Sequence, residues 1–260
     1  MLEKITDIYY TKTIHDFMLV QIDLRNDLRN YNYILHHKPS KQTIAVDPTD
    51  ANITMQALKH FGYGLEQIWI THHHHDHIGG IIELEQHYNC DIIGNANDAA
   101  RIPAISKLLH SGEVFDFADV AIEVLNMDGH TIGHIAYHIP ELNLLFAGDT
   151  IFSLGCGRVF EGTHAQMWQS LNRIKALPAE TLLCISHEYT LDNASFAAYV
   201  MPENMMIANC LHAIKQKRAK VQPTVPTQLD YELQHNPFLI CDNIDDFSRL
   251  RTLKDSFRKS

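Results

Sequence analysis

The chain has 260 residues, long enough for one large domain, or one with a smaller companion, around a sizeable core. Hydrophobic residues make up 45% and charged residues 20%, proportions typical of a globular protein in water. A formal net charge of -10 excludes broad binding along a nucleic-acid backbone, which needs a basic surface, but leaves room for a small anion held by a few local cations. Met1 to Asp7 carries acids where a secretory signal needs a basic and then an apolar stretch, and no apolar run reaches the ~18 residues of a membrane span. The five cysteines (Cys90, Cys156, Cys184, Cys210, Cys241) are odd in number, widely spaced and without a C-x-x-C pair. They read as reduced core thiols of a cytoplasmic protein with neither membrane nor nucleic acid as partner.

Short apolar runs alternate with helical patterns along most of the sequence. Phe17 to Ile22 and Tyr31 to Leu35 read as early strands of alternating polarity, and Thr43 to Val46 as another, ended by Asp47-Pro48. A helix with Met55, Leu58 and Phe61 on one face follows, with Gly62 as its stop. Gln67 to Thr71 reads as a strand, and Ile81, Leu84 and Tyr88 as a helix opening near Gly80. Val120 to Leu125, His134 to Ile139, Asn143 to Ala147 and Thr181 to Ile185 are further strands. Between the last two, Thr163 and Gln166 form a capping box, Met167, Leu171, Ile174 and Leu177 line one helix face, and Pro178 ends it. From Leu191 onward no strand is expected. Ala194 to Val200 and Asn204 to Ala219 read as helices, Gln222 to Thr227 as a linker-like break, and Asp245 to Phe257 as a last helix, with Arg249, Arg251, Lys254 and Arg258 in the tail.

The run His72-His73-His74-His75-Asp76-His77 places five histidines and an aspartate in six positions, directly after Ile68-Trp69-Ile70. Imidazole nitrogens and carboxylate oxygens are the usual ligands of zinc and similar ions, and six polar side chains in a row cannot all find partners inside a core. Three other predicted strands also lead into potential ligands: His130 after Met127-Asp128-Gly129, Asp149 after Phe146-Ala147-Gly148, and His187 after Cys184-Ile185-Ser186. Ligands just past buried strands stand on a rigid frame and stay open on one edge.

These residues resemble the metallo-β-lactamase superfamily, whose signature is H-x-H-x-D-H on a loop after a strand, then a distant histidine, a bridging aspartate and a last histidine. Registered on Asp76-His77, the pattern selects His72 and His74 and leaves His73 and His75 spare. Alternation along extended chain agrees, since it sends the spare pair to the other side. Within the superfamily the chain is most similar to the hydroxyacylglutathione hydrolases (glyoxalase II), nearly end to end. Thr71 to Gly80, Gly129 to Ile135, Phe146 to Phe152 with Gly155 to Thr163, Ser186 to Thr190, and the tail Leu250 to Phe257 carry the likeness. The first stretch marks only the superfamily; Gly155-Cys156-Gly157-Arg158 and His187-Glu188-Tyr189-Thr190 are more specific.

The resemblance implies an α/β (α+β) fold, an αββα sandwich over residues 1–187 followed by a small all-helical domain over 188–260 that binds glutathione. It implies two divalent metals, zinc first and iron or manganese also compatible with such ligands. His72, His74 and His130 would hold one, Asp76, His77 and His187 the other, and Asp149 would bridge them. Asp76 and Asp149 would also serve catalysis, around a metal-bridging hydroxide. Arg158, Arg251 and Lys254 with the Tyr189 hydroxyl would hold the glutathione moiety beside Phe160, which stands where some relatives have tyrosine; Ile240 stands where an arginine is common. The implied reaction is hydrolysis of S-D-lactoylglutathione to D-lactate and glutathione, the second step of methylglyoxal detoxification, by a monomer whose partner is this small thioester. Rival readings are another hydrolase of the fold (a lactonase, β-lactamase or other thioesterase), a single-iron persulfide dioxygenase, and a non-catalytic metal-binding protein. A nuclease of this fold is disfavoured by the acidic balance.

Overall fold

The computed structural model describes residues 2–257; Met1 and Arg258 lie outside them. The chain divides into two compact units, one running to Asn126 with the addition of Gly133–Leu142, the other made of Met127–Ile132 and the chain from Asn143 onward.

The first unit is built on an eight-stranded sheet. Its strands follow chain order: Glu3–Lys4, Tyr9–Ile14, Phe17–Asp23, Tyr31–His37, Thr43–Val46, Gln67–Trp69, Asp91–Asn95 and Lys107–Leu109. The first five pair antiparallel and the rest parallel. Parallel neighbours need a crossover, and the helices Ala51–Phe61 and Ile81–Tyr88 provide two. Asp50 caps the first by accepting from the Ile53 N–H, and Gly62, at φ 71°, ends it in the left-handed conformation that glycine adopts without steric cost. Ala57 and Leu58 of that helix, Ile81 and Leu84 of the other, and Ile68, Ile70 and Ile92 of the sheet form one core.

The strands Val114–Phe117, Val120–Asn126 and Ile135–Ile139 of the same unit form an antiparallel ladder. Trp69 joins it to the large sheet, its ring 5.0 Å from Tyr137 and 5.5 Å from Phe117. The Tyr137 hydroxyl donates to the Ile70 carbonyl at 2.9 Å. The strand read as Gln67 to Thr71 stops at Trp69, because the Thr71 N–H donates to the Asp47 side chain instead of to a neighbouring strand. Tyr31–His37 is buried at all seven positions, so its polar residues face packed structure rather than water.

The second unit pairs Leu144–Gly148 in parallel with Leu182–Ile185, with a register shift at Phe146/Gly148. The helix His164–Lys175 connects them, opening on the expected capping box and burying Met167, Leu171 and Ile174; it ends at Ala176, ahead of Pro178. Five helices follow: Thr190–Val200, Met205–Ala219, Leu229–His235, Pro237–Ile240 and Ile244–Ser256. Contrary to expectation a strand does occur beyond Leu191. Thr227–Gln228 pairs antiparallel with Leu182–Leu183, a two-residue pairing too short to leave a periodic signal. All five cysteines are free, and no helix among the described residues is long and apolar enough to cross a membrane.

Candidate metal centre

In the first unit the histidine run follows the strand Gln67–Trp69 and is fastened from behind by Asp47. One carboxylate oxygen of Asp47 accepts from the Thr71 N–H at 2.8 Å; the other accepts from the Thr71 hydroxyl at 2.7 Å and lies 2.9 Å from His77 Nδ1. A carboxylate there keeps the proton on Nδ1 and turns the Nε2 lone pair of His77 outward, the arrangement a metal ligand needs. His77 Nε2 lies 3.5 Å from Oδ2 of Asp76. Asn30 donates to that same Asp76 oxygen at 3.0 Å, orienting the carboxylate.

His72 Nε2 and His74 Nδ1 approach to 3.1 Å, so two ring nitrogens converge on one point. His74, at φ −59° and ψ 143°, leads into the short helix His75–Ile78, which presents Asp76 and His77. The Gly79-Gly80 tail has a steric cause: a Cβ on Gly79 would lie 2.5 Å from the Thr49 carbonyl oxygen, and one on Gly80 2.7 Å from the Ala51 nitrogen. The two spare histidines differ. His73 is held by Asp98, and His75 is exposed.

In the second unit Asp149 directly follows the strand Leu144–Gly148. Its Oδ1 is 3.3 Å from His187 Nε2 and its Oδ2 3.5 Å from His130 Nε2. These separations exceed the ~2.8 Å of a strong ionic hydrogen bond. One carboxylate therefore offers an oxygen to each of two imidazoles at a spacing that suits cations lying between them. His130 Nδ1 donates to the Arg158 carbonyl at 2.7 Å, which leaves the Nε2 lone pair as the one a metal could take. The donor set of nitrogens and carboxylate oxygens, each oriented from behind, fits divalent metals.

A cavity of about 330 Å³ in the second unit is bounded by His130 and Asp149 at one side and by Arg158, Tyr189 and Lys254 at another. Tyr189 stacks on His187, centroids 4.7 Å apart and planes 7° from parallel. Phe160, 59% exposed, sets its ring edge-on to His130 at 5.2 Å with the Arg158 guanidinium 5.7 Å above it. Packing stands where a tyrosine would offer a hydrogen bond. Lys254 donates to the Asp192 carbonyl at 3.1 Å and lies 5.2 Å over Phe196. Arg251 also lines the cavity, yet it is only 4% exposed: one amino group donates to the Cys156 carbonyl at 2.9 Å and the other to Asp255 at 2.8 Å. Its hydrogen bonds anchor the last helix to the cavity wall. Asp255 also accepts from Arg158 Nε at 3.2 Å, so one carboxylate spaces the two guanidiniums. Ile240 ends its short helix 39% exposed.

Sequence reading missed the residues behind the candidate ligands. Asp47 showed only as a strand terminator, and Asn30 and Asp98 gave no local signal. It also missed Glu232, a wholly buried carboxyl that accepts from the Ser153 hydroxyl and the Leu154 N–H, both at 2.8 Å. These bonds fix the hairpin Ile151–Phe152/Gly155–Cys156, which gives Phe152 and Cys156 to the cavity wall. Burial pushes the Glu232 pKa up to about 7 despite those bonds. The sign follows by linkage. From the ordinary value of 4.5 up to about 7 the unfolded chain ionises while the folded one keeps its proton, so folding stability falls as pH rises through that window. Glu232→Gln cannot ionise. Its stability relative to the unaltered chain is expected to rise from about pH 5 to about pH 8 in urea denaturation, and a constant difference would refute the assignment.

The family model described as the metallo-beta-lactamase superfamily matches residues 40–187, and that described as the hydroxyacylglutathione hydrolase C-terminus matches 188–257. Among solved structures, the ETHE1 protein of Myxococcus xanthus has a TM-score of 0.67 at 20% identity, over 96% of this chain and 90% of that one. The BLEG-1 B3 metallo-beta-lactamase has 0.65 at 21%, over 86% of this chain and all of that one. The fold is the metallo-β-lactamase fold, with mixed sheets and a helical C-terminal region, as expected from the sequence. A hydroxyacylglutathione hydrolase of Hyphomonas neptunium is 43% identical over 82% of this chain and 83% of its own length, and one of Methylococcus capsulatus 40% identical over 92% and 98%. The chain belongs to the hydroxyacylglutathione hydrolase family.

Proposed function

We propose that this chain hydrolyses S-D-lactoylglutathione and related S-2-hydroxyacylglutathiones to the hydroxy acid and glutathione, the second step of methylglyoxal detoxification. The observation that carries the reading is the Asp149 carboxylate, set between the Nε2 atoms of His130 and His187 beside a cavity walled by Arg158, Tyr189 and Lys254. The enzyme is a divalent-metal-dependent hydrolase, and zinc is the proposed metal. His72, His74 and His130 are proposed to hold one ion, Asp76, His77 and His187 the second, with Asp149 shared. Bound there, the two ions would supply hydroxide at neutral pH and polarise the acyl carbonyl.

The chain's own residues supply the rest. Asp47 and the Arg158 carbonyl fix ring tautomers, and Asn30 sets the Asp76 carboxylate, which also orients the nucleophile. Arg158 and Lys254 pair with the carboxylates of the glutathione moiety, and the Tyr189 hydroxyl donates to its amides. Arg251 serves this binding by holding the last helix in place, and Phe160 packs on the substrate. The leaving thiolate, whose parent pKa is about 8.5, departs without a strong general acid, which suits a site whose motifs contain none. Residues 1–187 are proposed as the catalytic domain and 188–260 as the glutathione-binding domain, a division supported by the two family matches that abut there. A cytoplasmic monomer is the proposed working form.

The test is a thioester panel assayed on purified protein with metal content measured alongside. Turnover of glutathione thioesters that follows zinc content is the expected result. A chain loaded with two metals and inert towards every glutathione thioester would sink the reading.

A further inference from the structure

His73 lies between two proposed ligands, and the chemistry above makes no use of it. Its Nδ1 is 3.2 Å from Oδ2 of Asp98, and its Nε2 is 3.3 Å from an amino group of Arg101. Arginine can only donate, so Nε2 accepts and Nδ1 carries the proton that goes to Asp98. Arg101 also donates to the other Asp98 oxygen, which closes a ring of three side chains. Asp98 is wholly buried, and a buried carboxylate persists only when paired in this way. It sits in the turn Ala96–Asp98 after the strand Asp91–Asn95, the neighbour of the strand that leads into the histidine run.

The same carboxylate abuts a second segment. Gly133 has φ +95°, and a Cβ there would lie 2.8 Å from Asp98 Oδ1, so only glycine passes over this group. Asn95 donates to the Gly133 carbonyl at 2.8 Å. The next residue, His134, stacks on His72 with centroids 4.6 Å apart and planes 17° from parallel.

We infer that Asp98 and Arg101 are positioning residues for the proposed metal centre: they hold the His73 ring against those of His72 and His74 and so set the direction in which those two face. The His73 ring lies edge-on to that of His74 at 5.2 Å and to that of His72 at 6.5 Å, so holding the middle ring limits where the outer two can turn. The spare histidine is the handle by which the ligand loop is held. This rests on the reading of His72 and His74 as ligands.

The test is competition for Zn²⁺ between a chelating indicator and the metal-stripped full chain, with the melting temperature of the metal-free chain measured in parallel. His73→Leu and Asp98→Ala should each weaken Zn²⁺ binding about 10- to 100-fold, the usual cost of removing a group that orients a ligand. The double variant should lose no more than the worse single one, because both remove the same tie. His73→Asn, whose amide N–H can still reach Asp98, should restore affinity. Zn²⁺ affinity in His73→Leu equal to that of the unaltered chain, with only the melting temperature lowered, overturns the inference. If Asp98→Ala does not fold, the His73→Leu and His73→Asn pair decides, since that ring is partly exposed. No Zn²⁺ binding by the unaltered chain overturns the ligand reading itself and the inference with it.

Discussion

Asp149→Ala is expected to lose bound metal and to cut kcat by more than ~100-fold, the upper end of what removing a mere supporting group costs. The carboxylate is 7% exposed and faces His187 through one oxygen and His130 through the other. Alanine removes both oxygens at once, and with them the one carboxylate proposed to serve both ions. Asp149→Asn keeps the volume and one oxygen but not the charge, so metal content should fall less than in alanine. Metal analysis with single-turnover kinetics reads both effects. Full metal content with kcat within about tenfold of normal would remove Asp149 from the centre of the mechanism.

Lys254→Ala is expected to raise KM about 10- to 100-fold and leave kcat nearly unchanged. A charge-assisted hydrogen bond to a remote carboxylate contributes about 1.5–3 kcal/mol, equally in ground and transition states. The ammonium is held at the cavity by the Asp192 carbonyl and by the rings of Phe196 and Phe257, at 5.2 and 5.7 Å. Those contacts give Lys254 a structural share as well. Losing them should cost about 0.5–1 kcal/mol, visible as a small drop in melting temperature. A lowered melting temperature with an unmoved KM would make Lys254 only a strut of the last helix.

How much of this was open to the sequence depends on the distance over which each residue acts. The proposed ligands announced themselves locally: Asp149 directly follows Leu144–Gly148, and His187 comes two residues after Leu182–Ile185. The groups that orient these side chains did not. Asp47 reaches His77 across 30 positions and Asn30 reaches Asp76 across 46, separations at which no periodicity survives. Arg251 shows another limit. Its spacing on the last helix marked a basic face, but whether that face met solvent or the Cys156 carbonyl depended on what packed beneath it. Tyr9–Ile14 is a different case: its aromatic and β-branched residues are typical of strands, and the signal was present but unread.

Arg158 serves two neighbours with two different parts of itself. Its main-chain carbonyl accepts a hydrogen bond from His130 Nδ1, while its side chain reaches the cavity. Every amino acid carries that carbonyl. A substitution at position 158 would therefore remake one wall of the cavity while leaving in place the carbonyl that orients the His130 ring. Only changes that shift the main chain itself would touch both.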